Sequence, residues 1–242
     1  MTVQTREIDY QIGDQSFKGY LAWDDATAGP RPGVVVVHEW WGHDDYVKTR
    51  ARQLAGEGFA AFALDMYGDG RVGGNPDEAG ELMNAVMGQA GAIEQRFDAA
   101  VATLGQQPEA DAGNISAIGY CFGGAVVLGM ARAGKDLKAV ASFHGLLETQ
   151  TPMQAGAFGG KVAVFNGADD PMVTPEILQA FESEMQAAGA DYSVKSYPGV
   201  VHGFTNPAAT GRGEQYGMPL AYDEAADQDS YSATVALIKG TA

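Results

Sequence analysis

Gly119-Tyr120-Cys121-Phe122-Gly123 follows the apolar run Ile115-Ser116-Ala117-Ile118 and precedes Gly124-Ala125-Val126-Val127-Leu128. The pattern predicts a strand that turns sharply into a helix, with Cys121 at the apex. Glycines on both sides of a tight turn let the backbone take a strained conformation without steric conflict, and the apical side chain is pushed above the sheet. Cys121 is the only cysteine among 242 residues. A lone buried cysteine in another setting is a small apolar filler. At this turn it is a candidate nucleophile.

Outward from the turn, Gly33-Val34-Val35-Val36-Val37-His38 is a continuous β-branched run of the kind found in strands covered on both faces. Residues 3–10 and 17–23, separated by Gly13-Asp14, read as an opening hairpin. Alternating strand and helix patterns follow. Strands are expected at 59–64, 115–120, 139–143, 161–166 and 192–197, and helices at 46–57, 76–87, 92–104, 175–188 and 222–238, besides the helix after Cys121. This alternation predicts a mostly parallel central sheet with helices on both faces, and the glycine-flanked turn at Cys121 makes the expected form an α/β-hydrolase fold. No domain boundary or internal repeat interrupts it, so a single domain is expected over 1–242. Residues 206–220 are polar, contain glycine and read as too irregular for a helix, either a mobile flap or a long connector.

Fifteen Lys plus Arg against 31 Asp plus Glu give a formal net charge of −16. Such a field repels nucleic acid and anionic lipid, which argues against both as partners. The opening residues lack a basic segment followed by an apolar one, and no apolar stretch approaches the length of a membrane span. The expectation is a cytoplasmic monomer or homodimer acting on a small molecule.

A thiol nucleophile needs a base, and the base needs an orienting acid. In α/β-hydrolases the chain order is nucleophile, then Asp or Glu, then His. Gly167-Ala168-Asp169-Asp170-Pro171-Met172-Val173 supplies the carboxylate after one strand, and Pro198-Gly199-Val200-Val201-His202-Gly203-Phe204 the histidine after the next. The spacing from Gly167 to Val173 favours Asp170, leaving Asp169 to cap the turn. On this reading His202 shares the Cys121 proton, and Asp170 fixes the imidazole tautomer. The backbone N–H of Phe122 and that of Trp40 are the expected oxyanion donors.

Together with His38-Glu39-Trp40-Trp41-Gly42, these motifs make the chain resemble the dienelactone hydrolase family from about residue 10 onward. The resemblance implies a cysteine hydrolase with a Cys-Asp-His triad, acting on lactones or other activated esters without metal or organic cofactor. It also implies that Glu39 assists ionisation of the thiol. The dienelactone-cleaving members hold the substrate carboxylate with two arginines, and here those places carry Asp69 and Asn206. Arg71 is the nearest substitute. The expected substrate is therefore a neutral or weakly polar ester, in a pocket walled by Trp41, Tyr67, Arg71, His144 and Phe204, with Trp40 beside Trp41. His38 and His43 near Asp44 and Asp45 fit no strong zinc spacing, so no metal is expected. A catalytically silent ligand-binding module is the reading from another class, and thioesters or phosphotriesters are the alternative substrates.

Overall fold

The computed structural model describes residues 2–26 and 28–241. By its internal contacts the chain divides into two compact units, with the boundary between Ala117 and Ile118.

In the first unit β1 (Val3–Ile12) and β2 (Gln15–Asp24) form the antiparallel hairpin, with Ile12 opposite Gln15 across the Gly13-Asp14 turn. Gly13 takes φ 59°, the left-handed conformation that a two-residue hairpin turn needs. β4 (Ala60–Ala63) pairs antiparallel with β2, and β3 (Arg31–Val37) pairs parallel with β4. All four valines of β3 are wholly buried, as a strand covered on both faces requires. α1 (Asp45–Gly56) starts on Asp44, whose side chain accepts from the N–H groups of Tyr46 and Val47. Its buried face includes Val47, Ala51 and Leu54. Burying each of the larger two contributes about 1.5–3 kcal/mol. α2 (Pro76–Met87) and α3 (Ala92–Gly105) follow before β5 (Ala110–Tyr120), which starts five residues earlier than the apolar run alone suggests.

The second unit takes up the chain within β5 and continues through α4 (Phe122–Arg132), β6 (Ala139–Phe143), β7 (Lys161–Gly167), α5 (Pro175–Ala188), β8 (Asp191–Tyr197), α6 (Ala209–Tyr216) and α7 (Glu224–Lys239). β6, β7 and β8 run parallel, so the loops leaving them emerge at one edge. Tyr120, Phe143 and Phe165 stack beneath that edge, with ring centroids 4.7 and 5.1 Å apart. Within the first unit the strands lie in the order β1-β2-β4-β3, and within the second β6, β7 and β8 are neighbours in that order.

Residues 206–220 depart from expectation, because α6 lies within them. Gly211 and Gly213 lower helix propensity, but packing overrides it. A Cβ at Gly213 would run into the carbonyl oxygens of Leu220 and Met218, so the glycine lets the chain fold back against the helix. Asn206 fastens the start, its Oδ1 accepting from Ala208 N at 2.9 Å. Leu220 fastens the end by a parallel bridge to His202.

Candidate active site

Cys121 sits at φ 53° and ψ −114°, a conformation that side chains rarely adopt. The flanking glycines explain how the turn is reached. A Cβ at Gly119 would collide with the backbone of Gly123, and one at Gly124 would meet Ser142 Oγ and Gly145. The start of α4 thus lies directly against the end of β6. The Cys121 N–H donates to Phe143 O at 3.0 Å and to His144 Nδ1 at 3.1 Å. Its side chain is half-buried. Phe122 opens α4, so its N–H stands at the positive end of the helix dipole.

The loops after β7 and β8 are zipped together. Ala168 N donates to Tyr197 O at 2.8 Å and Asp169 N to Val200 O at 2.9 Å, and a Cβ at Gly167 would strike the carbonyls of Val200 and Val201. This brings Asp170, and not the exposed Asp169, to His202: Asp170 Oδ2 lies 2.8 Å from His202 Nδ1. Asp170 Oδ1 accepts from Met172 N at 2.9 Å. Burial on its own would push the His202 imidazole down. The charge on Cys121 and the hydrogen bond to Asp170 outweigh it and raise the pKa to about 10. The charge on Cys121 is thus felt at His202.

Two of the expected pocket residues in this unit are wholly enclosed. His144 and Phe204 have no exposed surface, and their rings meet edge-on at 5.3 Å. They form packing behind the site rather than a wall that solvent reaches, with Tyr120 and Thr205 against His144 and Tyr197 against Phe204.

In the first unit, the loop after β3 carries Glu39, Trp40 and Trp41. Glu39 is 6% exposed, and the Trp40 and Trp41 rings lie 4.9 Å apart. Gly73 N donates to Trp41 O at 2.8 Å, and Tyr67 OH donates to Trp40 O at 2.8 Å, which joins this loop to the one after β4. Tyr67 and Trp41 are accordingly buried. Arg71 is exposed, and its guanidinium folds back onto the carbonyls of Tyr67 and Gly68. His38 Nδ1 donates to Glu39 O while its Nε2 accepts from Met66 N, and His43 Nε2 meets Ala63 O at 3.1 Å. Among the described residues no group of three or more His, Cys, Asp or Glu is placed to hold a metal ion. Nor is any described helix long and apolar enough to cross a membrane.

Asp65 is the residue that sequence reading passed over. Its buried carboxylate accepts from Tyr67 and Gly68 N–H at 2.9 Å each, from Gly70 N–H at 2.7 Å and from Lys18 N–H at 3.1 Å. An aspartate at a strand end, before a glycine-containing loop, was the available signal.

The profile of the dienelactone hydrolase family matches residues 17–241. The chain belongs to that family. It is thus a hydrolase by kinship, on the α/β-hydrolase fold. A solved structure of a dienelactone hydrolase-like promiscuous phosphotriesterase from metagenomic libraries superposes with a TM-score of 0.91 at 38% identity, covering 99% of this chain and 98% of that one. Protein usf of Aquifex pyrophilus is 28% identical over 96% of both chains. A dienelactone hydrolase from Anabaena variabilis shares the fold, with a TM-score of 0.67 at 15% identity over 99% of this chain and 98% of the other.

Proposed function

We propose that this family member cleaves neutral or weakly polar carboxyl esters or lactones through a Cys121-Asp170-His202 triad. One observation carries the reading: His202 is held by buried Asp170 on one side and raised by the Cys121 charge on the other. His202 takes the Cys121 proton, giving thiolate and imidazolium. Cys121 Sγ attacks the carbonyl carbon, and the C–O bond to the leaving group breaks as His202 gives that oxygen its proton. Water, deprotonated by His202, attacks the acyl carbon, and the C–S bond breaks to restore the thiolate. The N–H groups of Phe122 and Trp40 serve the oxyanion.

The substrate class follows from charge. The net −16 disfavours an anion, Asp69 is exposed, and Asn206 Oδ1 is engaged with Ala208 N. Arg71 has donors committed to its own loop. Glu39 takes the activating role that the family resemblance gives it, and Glu39→Gln lowers turnover in a folded protein. The chain acts as one hydrolase domain in the cytoplasm, as a monomer or homodimer.

Full-length protein, Cys121→Ala and His202→Ala compared on p-nitrophenyl acetate test this reading. Equal rates in all three would remove the triad. A second reading, hydrolysis of neutral phosphotriesters, draws on the 38% identical relative described as a promiscuous phosphotriesterase. Intact mass after brief incubation with paraoxon decides it, through a phosphoryl adduct on Cys121 in the wild type and none in Cys121→Ala.

A further inference from the structure

His144 follows β6, is wholly buried, and takes φ 40°, the left-handed conformation uncommon for any residue but glycine. Its own N–H donates to Phe165 O at 2.8 Å, which fixes the backbone there. Strain of this kind persists where surroundings over-determine it, often beside a functional site.

The ring contacts fix its protonation. Cys121 N–H can only donate, so His144 Nδ1, 3.1 Å away, must accept and carry no proton. The proton of the neutral ring then sits on Nε2, which donates to Thr205 Oγ1 at 2.8 Å. Thr205 is itself wholly buried and lies three residues after His202 on the same loop. Both ring nitrogens are thereby committed, and neither serves the thiol as a base. The His144 and His202 rings also meet edge-on, with centroids 5.1 Å apart at 67°.

We propose that His144 is a positioning residue that locks the nucleophile turn to the base-bearing loop. The chain of contacts runs from Cys121 N–H through the imidazole to Thr205, spanning the ends of β5, β6 and β8. It sets the Cys121 backbone, and so the direction of Sγ, relative to His202. This rests on the reading of Cys121 as nucleophile.

The test uses the full chain with His144→Phe, which keeps an aromatic ring and removes both hydrogen bonds, and His144→Gln, whose amide can accept from Cys121 and donate to Thr205. Thr205→Val and Thr205→Ser form a second pair. Turnover of p-nitrophenyl acetate, alkylation of Cys121 by iodoacetamide followed by intact mass, and thermal midpoints are measured for each. Misplacing reacting atoms by about 1 Å can cost about 100-fold, so His144→Phe should lower kcat by about 10- to 100-fold with KM changed less than about threefold. His144→Gln should regain much of that loss. Thr205→Val should fall in the same direction, and Thr205→Ser should stay near wild type.

A folded His144→Phe with wild-type kcat and alkylation rate would overturn the proposal, as would a His144→Gln no better than Phe at equal thermal midpoint. If His144→Phe does not fold, the Thr205 pair decides: equal kcat in Val and Ser refutes the link, and a loss confined to Val supports it. Wild-type turnover in Cys121→Ala would instead refute the nucleophile reading. The alkylation rate still reports how His144 places the sulfur in that event, so the two failures are distinguishable.

Discussion

Asp170 Oδ2 stands 2.8 Å from His202 Nδ1, with the carboxylate side chain wholly enclosed and the ring 5% exposed. A carboxylate so placed fixes Nδ1–H as the tautomer, turns Nε2 away from itself, and stabilises the cation. Asp170→Asn preserves the shape and removes the charge. Ester turnover should fall by about a thousandfold or more, through the wrong tautomer and the weaker base. A folded variant within twofold of wild type would exclude Asp170 from the mechanism.

The same contact governs the alkaline limb of activity. With the His202 pKa raised to about 10, the imidazolium that the proposed mechanism uses to protonate the leaving group persists to that pH and is lost above it. Hydrogen bonding to Asp170 is one of the causes that raise it, so the limb should move to lower pH in Asp170→Asn. The kcat against pH profiles of both proteins check this. An unmoved limb would mean that the titration belongs to another group.

Asp65 should matter to folding more than to chemistry. Its carboxylate satisfies the N–H groups of Lys18, Tyr67, Gly68 and Gly70, so Asp65→Ala strands donors in a buried loop. The loss should be on the order of 3 kcal/mol in urea unfolding. Asp65→Asn keeps one acceptor oxygen and should fall between. Equal stability of all three would show that water replaces the carboxylate at no cost.

Much of this arrangement was legible in the chain. The β-branched run of β3 and the glycines around Cys121 report local demands, a strand buried on both faces and a turn without room for Cβ atoms, and both stand in the structure. The choice of Asp170 over Asp169 rested on spacing alone, and the loop pairing that seats it against His202 is long-range. α6 was missed because its glycines answer to packing against Leu220, which no local pattern records. The role proposed for His144 was missed for a like reason. Its partners Cys121 and Thr205 lie 23 and 61 residues away in sequence. Asp65 was hidden because a single carboxylate before glycines looks like any loop residue until four amides converge on it.

His43 links the first unit to acid stability. Burial pushes its pKa down to about 4, with His38 adding to the fall and Asp65 opposing it. In the unfolded chain the imidazole titrates near 6.5, so the unfolded state binds the proton first as pH drops. Stability is full above about 6.5 and declines toward about 4, by up to about 1.4 kcal/mol per pH unit from this group. His43→Gln removes the titration and should flatten thermal midpoints over that window, though it lowers them near neutrality. A slope identical to wild type would assign acid sensitivity elsewhere.

Arg132 ends the helix that Cys121 begins, and it is anchored to the rest of its unit by an enclosed pair. Its Nε and Nη2 donate to the two oxygens of Glu184 at 2.8 Å each, Nη2 also donates to Leu147 O at 2.7 Å, and Glu184 Oε1 accepts from Met153 N at 2.8 Å. The side chains are 5% and 11% exposed. Burial favours the protonated acid, and the Arg132 hydrogen bonds reverse this, so the Glu184 carboxyl lies below its usual value. Removing one partner leaves an unpaired buried charge, at a cost of about 3 kcal/mol or more. Glu184→Gln should therefore lower the urea midpoint, and Arg132→Lys should also fall short, because an ammonium cannot repeat the planar two-point contact. Since the pair holds the far end of α4 and not the turn at Cys121, kcat below the unfolding transition should stay within about threefold of wild type in both variants. A large loss of kcat at unchanged stability would show instead that the set of α4 reaches the nucleophile.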